Sequence, residues 1–128
     1  KTVHVAAGII VRDGQVFLSK RSAEQHQGGK WEFPGGKVEA QETAVVALAR
    51  ELKEEVNLEI NGAELFHQVE FDYGDKQVHL EFFLVTDFTG QEQGLEGQQT
   101  AWVDIHLLTE YNFPAANQII VDKLIAAY

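Results

Sequence analysis

The chain has 128 residues, 45% of them hydrophobic and 23% charged, which is enough apolar material to close one domain over residues 1–128 and excludes intrinsic disorder. Its 10 Lys and Arg face 20 Asp and Glu, and the formal net charge of -10 argues against nucleic-acid polymers and anionic membranes as partners, since both need clustered basic side chains. Cysteine is absent, which removes disulfides, thiol nucleophiles and cysteine zinc sites together, while a phosphorylated small molecule stays open if cations carry the sign change.

Val3 to Val11 is apolar and β-branched, Asp13-Gly14 is a hairpin-turn dipeptide, and Gln15 to Lys20 returns with Val16 and Leu18 on one side, so a β-hairpin is expected. Ser22 to Lys30 reads as a polar loop. Trp31-Glu32-Phe33 then runs into Pro34-Gly35-Gly36, read as a turn. From Thr43 to Val56 the period changes: Val45, Leu48, Ala49, Leu52 and Val56 fall within about 100° of a helical wheel, with Thr43 as N-cap. Ala63 to Tyr73 and Lys76 to Phe88 flank Gly74-Asp75 and predict a second hairpin. Thr89 to Gln99 is a glycine-containing loop, and Ala101 to Ile105 a short strand. Pro114 opens a last helix carrying Ile119, Ile120, Leu124 and Ile125. This order predicts an α/β fold, a mixed sheet with helices on its faces.

No apolar run is long enough to span a membrane and no signal-peptide pattern opens the chain. A cytoplasmic location is expected, and the lack of any methionine predicts a processed or trimmed chain. Ser19 and Ser22 lie in no glycine-flanked nucleophile turn, and Gly36-Lys37 is followed by Val38, so serine-hydrolase and P-loop chemistry are excluded. His4, His26, His67, His79 and His106 have no metal-ligand spacing and read as surface or strand histidines.

One segment stands apart. Glu51, Glu54 and Glu55 share about 100° of the helix beside the apolar stripe. They repel one another at i,i+3 and i,i+4 and lie near the helix C-terminus, where the dipole disfavours negative charge. Ala44 and Ala47 lie on the same side and leave room above them. Two readings stand on spacing alone: a site for a hard divalent cation, which takes carboxylate oxygens, water and substrate phosphate, or an acidic helix face.

Gly36, Glu42, Arg50-Glu51-Leu52, Glu54-Glu55 and Leu58 stand at the spacing that resembles the signature box of the Nudix hydrolases. The departure is Asn57, where the family has glycine; asparagine is the best non-glycine occupant of the left-handed conformation that ends a helix. The run Glu32-Phe33-Pro34-Gly35-Gly36-Lys37, the Leu95-Glu96-Gly97-Gln98 loop and Phe113-Pro114-Ala115-Ala116-Asn117 extend the resemblance to the MutT type, the 8-oxo-dGTP diphosphatases. The resemblance implies the Nudix α/β/α sandwich. It also implies Mg2+-dependent hydrolysis, with Mn2+ as substitute: water attacks the β-phosphorus of an oxidised purine nucleoside triphosphate and releases monophosphate and pyrophosphate, sanitising the nucleotide pool.

By the same resemblance Gly35, Glu51, Glu54, Glu55 and Glu96 surround the metal, and Glu51 is the first choice of general base, with Glu96 and Glu42 as rivals. Arg50 is expected to serve structure by ion pairing. Arg21, Glu32, Phe33 and Asn117 are expected at the substrate, with Arg21 near the phosphates and Asn117 reading the base. An amide offers one donor and one acceptor, which matches the Hoogsteen edge of 8-oxoguanine and mismatches the two acceptors of guanine. A monomer acting on a small nucleotide is expected. The alternatives are a broader nucleoside triphosphate or nucleotide-sugar diphosphatase, a non-catalytic Nudix-fold binding module, and an acidic interaction domain.

Overall fold

The computed structural model describes residues 2–21 and 28–128. Lys1 and most of the predicted Ser22 to Lys30 loop, including Ser22 and His26, lie outside the described residues. β1 (Thr2–Arg12) and β2 (Gln15–Lys20) meet at a tight turn in which Asp13 and Gly14 both have positive φ, the backbone that matches strand twist. The two pair only at Val11↔Val16 and Arg12↔Gln15. Before that point, β1 has another neighbour: β4 (Gly35–Lys37) lies antiparallel along Val5, Ala6 and Ala7. β3 (Trp31–Glu32) pairs with the end of β2.

Helix α1 (Ala44–Val56) follows, then β5 (Glu59–Ile60), the long pair β6 (Glu64–Asp72) and β7 (Gln77–Val85), β8 (Phe88–Thr89) and β9 (Thr100–Asp104). β7 runs parallel to β1 from Thr2↔Gln77 to Ile10↔Val85, and β6 continues the sheet antiparallel to β7. β9 joins β2, while β5 and β8 form a small separate ribbon. Two short 3-10 turns, Ile105–Glu110 and Ala115–Asn117, precede helix α2 (Gln118–Ala127).

The strand period divides the core into two layers. On β1, Ala6 and Ile10 join Phe83 and Val85 of β7 beneath Leu48, Leu52 and Val56 of α1. Ala7, Ile9 and Val11 face the other way with Phe82, against Ile120, Val121 and Leu124 of α2. The predicted sandwich of a mixed sheet between helices is the fold observed. Gly8 lies on the α1 side, and a Cβ there would stand 3.3 Å from a Leu52 methyl, so its bareness sets how closely the helix packs.

Several expectations need correction. Pro34-Gly35-Gly36 is not a turn: Gly35 and Gly36 are strand residues of β4. They are glycine because a Cβ on Gly35 would overlap the Ala6 carbonyl and one on Gly36 would overlap the Glu51 carboxylate. The buried face of α1 is also turned toward the glutamates. Val45 is 41% exposed, while Ala47 is fully buried, so the room above the alanines is taken up inside the fold. In α2, Ile119 is exposed and Val121 is buried in its place. Phe88 leaves the predicted second hairpin for the β5–β8 ribbon, which the periodicity did not indicate.

Gly35→Ala is therefore expected to destabilise the protein by about 1–3 kcal/mol, the usual range for overpacking. Urea unfolding reads this as a lower midpoint at unchanged slope.

Candidate active site

α1 carries the acidic cluster, and its ends hold it in place. The Thr43 hydroxyl accepts from the Val46 N–H at 3.2 Å, the predicted N-cap. Asn57 ends the helix at φ 61 and ψ 36, the left-handed conformation expected of it, and Leu58 N–H closes on the Leu52 carbonyl. The last carbonyls of a helix lack partners within it. Here the loop from Gly90 to Gln98 supplies them: Leu95 N–H donates to Glu55 O at 2.9 Å, Gln93 N–H to Val56 O at 3.0 Å, and the Gln98 amide to Glu55 O. The Asn57 amide returns a bond to Gln91 O. Glu96 is thereby carried to the Glu55 end of α1.

Arg50 organises the opposite side. Its Nε and Nη2 donate to the two oxygens of Glu42 at 2.6 and 2.8 Å, Nη1 to Glu51 at 3.0 Å, and Nη2 also to the Lys37 carbonyl of β4. The expected structural role of Arg50 has this concrete form. Its guanidinium bonds hold the Glu42 carboxyl down to about 2, helped by the Glu39 N–H, and Glu42 in turn raises the Arg50 pKa. Glu54 lies at 3.5 Å from the same Nη1, with its carboxylate largely in solvent.

Glu51 and Glu55 are the pair brought together. They share a side-chain hydrogen bond, and Glu55 is held well above the ordinary carboxylate range, first by burial, then by that bond and by the negative charges of Glu51, Glu32 and Glu96. A hydrogen bond between two carboxyls requires a proton on one of them, and Glu55 is the one placed to keep it. Glu51 faces Gly36, where the missing Cβ lets it lie against β4. The carboxylates gathered around Glu55 offer oxygen ligands only, the donor set of Mg2+ or Mn2+, so the residues fit a hard divalent ion.

A cleft of about 320 Å³ begins at Gly35, Glu55 and Glu96 and reaches across the α2 side of the sheet to Asn117. Arg21 and Glu32 form an ion pair at 2.5 Å on its wall, and burial raises the Glu32 carboxyl despite that partner. Phe33 is buried, stacked on Phe113 at 5.5 Å and edge-on to Phe82. Asn117 is 9% exposed and its side chain makes no cap hydrogen bond to α2. Of the predicted site, Gly35, Arg21, Glu32, Phe33, Glu55, Glu96 and Asn117 line this cleft; Glu51 stands behind Gly36, and Glu42 and Glu54 lie outside.

The sequence reading missed the cleft's basic residues. Lys20, Lys37 and Lys76 join Arg21 there, four of the chain's 10 Lys and Arg. Lys20 ends β2 with Arg21 just after it, Lys37 ends β4 and Lys76 lies in the β6–β7 turn, and only the adjacency of Lys37 to the Gly35-Gly36 pair was available as a signal. Tyr73, from the β6–β7 turn, was missed as well; burial raises its pKa, and it meets the Ala116 backbone across the cleft.

A carboxyl kept protonated in the fold but ionised in the unfolded chain costs stability as pH rises. The unfolded state loses its proton near 4.5 and the folded state only at the raised value, so stability of the metal-free protein falls through that interval. Glu55→Gln is expected to flatten this slope and raise Tm at neutral pH in the presence of a chelator; thermal melts over a pH series check it. Arg50→Lys keeps the charge but loses the fork that spans Glu42 and Glu51. It is expected to reduce kcat about 10- to 100-fold, the usual effect of losing a group that orients metal ligands.

Comparison with known proteins places the chain in a family. A NUDIX domain model matches residues 5–123. An "8-oxo-dGTP diphosphatase" of Haemophilus influenzae is 41% identical over 98% of this chain and 93% of its own. A "CTP pyrophosphohydrolase" of Escherichia coli is 35% identical over 98% and 93%. Among solved structures, one from a study of MutT from Aliivibrio salmonicida and Vibrio cholerae superposes with a TM-score of 0.89 at 42% identity, covering both chains fully. The carboxylates on α1, the bare glycine beneath them and the match across nearly the whole chain have one common account: the protein belongs to the Nudix hydrolase family.

Proposed function

We propose that the protein hydrolyses oxidised purine nucleoside triphosphates, 8-oxo-dGTP first among them, to the monophosphate and pyrophosphate with Mg2+ as the working ion. The observation that carries this reading is Asn117: a buried amide with no cap bond, lining the same cleft as Glu55, Glu96 and Arg21. Its amide is accessible from the cleft, so a site built around it favours the ligand that satisfies both its donor and its acceptor. An amide completes a donor beside an acceptor, the pattern that oxidation creates on guanine.

Nudix hydrolases are generally divalent-metal dependent. A bound divalent ion supplies charge neutralisation for the polyphosphate and acidification of water. Glu51, Glu54, Glu55, Glu96 and the Gly35 carbonyl are the groups that would hold it. The remaining work falls to the chain's own residues. Lys20, Lys37, Lys76 and Arg21 offset phosphate charge along the cleft, which phosphoryl transfer needs more than covalent participation. Phe33, held between Phe113 and Phe82, gives the base end a rigid apolar wall. Glu51 accepts the proton of the water that attacks the β-phosphorus. Glu42 is a poor base because Arg50 occupies both of its oxygens.

A hydrolysis screen over oxidised and ordinary nucleotides, with product identification, tests the reading. The expected result is preference for 8-oxo-dGTP, release of pyrophosphate and complete loss of turnover with excess chelator. Asn117→Ala is expected to narrow the kcat/KM ratio of 8-oxo-dGTP over dGTP by about tenfold or more, the worth of one to two hydrogen bonds. Unchanged discrimination would remove Asn117 from base reading. A broader nucleoside triphosphate activity has one supporting observation, the likeness to a CTP pyrophosphohydrolase, and faster turnover of CTP in the same screen would favour it.

A further inference from the structure

Along β1 and β7, the residues that line the cleft alternate with a second set on the opposite face. Val3, Val5, Val78 and Leu80 face the cleft, and between them His4, His79 and Glu81 face the α1 side of the sheet. His4 and His79 are register partners in the parallel pair, Glu81 lies two residues along the same face of β7, and Glu70 of β6 is the register partner of His79 across the antiparallel pair. α1 covers the sheet at Ala6 and Ile10 and leaves this group half-buried.

The side chains converge. His4 Nε2 meets Glu81 Oε1 at 2.5 Å, the two imidazole rings are 5.0 Å apart at 73°, and one ligand atom from each of His4, His79 and Glu81 lies within 4.8 Å of the others. Among the described residues this is the one set of three such groups so gathered. His79 Nδ1 bonds to Glu70 Oε2 at 3.1 Å, which leaves Nε2 as its free nitrogen. A ligating histidine whose other nitrogen is held by a carboxylate is the usual second layer of a metal site.

We propose that His4, His79 and Glu81, with Glu70 orienting His79, form a second metal site that takes a late first-row divalent cation of the Zn2+ class. Tetrahedral zinc with bonds of about 2.0–2.2 Å places its ligand atoms roughly 3.3 Å apart. The ligand atoms lie within 4.8 Å of one another, so closing on an ion would require His4 and Glu81 to part and His79 to draw in, with water as fourth ligand. Two imidazoles with one carboxylate suit zinc, nickel or copper and bind magnesium poorly, whereas the all-oxygen set on α1 suits magnesium. The two sites therefore differ in the ion they take. An ion here would tie β1 to β7 behind the floor of the cleft, and the Val38 N–H bond to His4 O links the same point to the chain leaving β4.

The test is calorimetric titration of the full chain with Zn2+ in a large excess of Mg2+, together with thermal melts. Expected are one Zn2+ per chain and a rise in Tm with Zn2+. Both are expected to weaken at least about tenfold in affinity in His79→Ala and in His4→Gln and to persist in Glu55→Gln. The histidines are partly exposed, and circular dichroism of the metal-free variants checks folding; if one fails to fold, the other carries the test. Absence of Zn2+ binding under excess Mg2+, binding that survives both histidine substitutions, or binding lost in Glu55→Gln and kept in His79→Ala would each overturn the site.

Discussion

The acidic site depends on one cation. Arg50 spans Glu42, Glu51 and the Lys37 carbonyl with one planar guanidinium. It joins the segment before α1, the helix itself and β4, three pieces that no continuous secondary structure links. A flexible ammonium could neutralise the same charge but could not hold three directions at once. Because Arg50 draws Glu51 toward β4, the strand beneath must be bare, and Gly36 meets that requirement. The glycine and the arginine of the signature box are thus two sides of one contact.

Everything on the Glu55 side works in the opposite sense. There the carboxylates are crowded together, and Glu55 holds a proton against its ordinary tendency. A fold optimised for stability alone would not keep such a cluster, least of all at a helix C-terminus. The structure tolerates it by satisfying the helix end generously: loop N–H groups cap Glu55 O and Val56 O, and Asn57 ties back to Gln91. Those same bonds position Glu96. The repair of a helix terminus and the delivery of another carboxylate are one arrangement, which is why the loop has regular anchoring without regular secondary structure.

The cleft resolves the contradiction between a strongly acidic chain and a phosphate-rich ligand. The cleft brings both signs together: Glu32, Glu55 and Glu96 line it along with Arg21, Lys20, Lys37 and Lys76. Net charge sums over the surface and carries no information about such local grouping. The sheet adds a separation, since adjacent residues of β1 and β7 serve opposite faces. The apolar cleft wall and the histidine group behind it are written into alternate positions of the same strands.

How much was legible follows from the range of each interaction. The hairpin turn at Asp13-Gly14, the Thr43 cap and the left-handed Asn57 are local, set by backbone preferences over a few residues, and the sequence alone determined them. One helix turn fixes the spacing of the box glutamates, which made their common face legible, while the role expected of them came from the resemblance of the wider box to the Nudix pattern. Where a neighbour distant in sequence decides, local reading failed. Gly35 and Gly36 look like a turn until β1 and Glu51 are known to press on them, and the burial of Ala47 in place of Val45 is set by what packs on α1 in the folded chain. The lysines of the cleft and the meeting of His4 with His79 depend on strand pairing across 75 residues of chain. Sequence determined which side chains the protein has to work with and the local shapes that present them; only the tertiary structure decided their company, because contact between distant strands is set by the packing of the whole core.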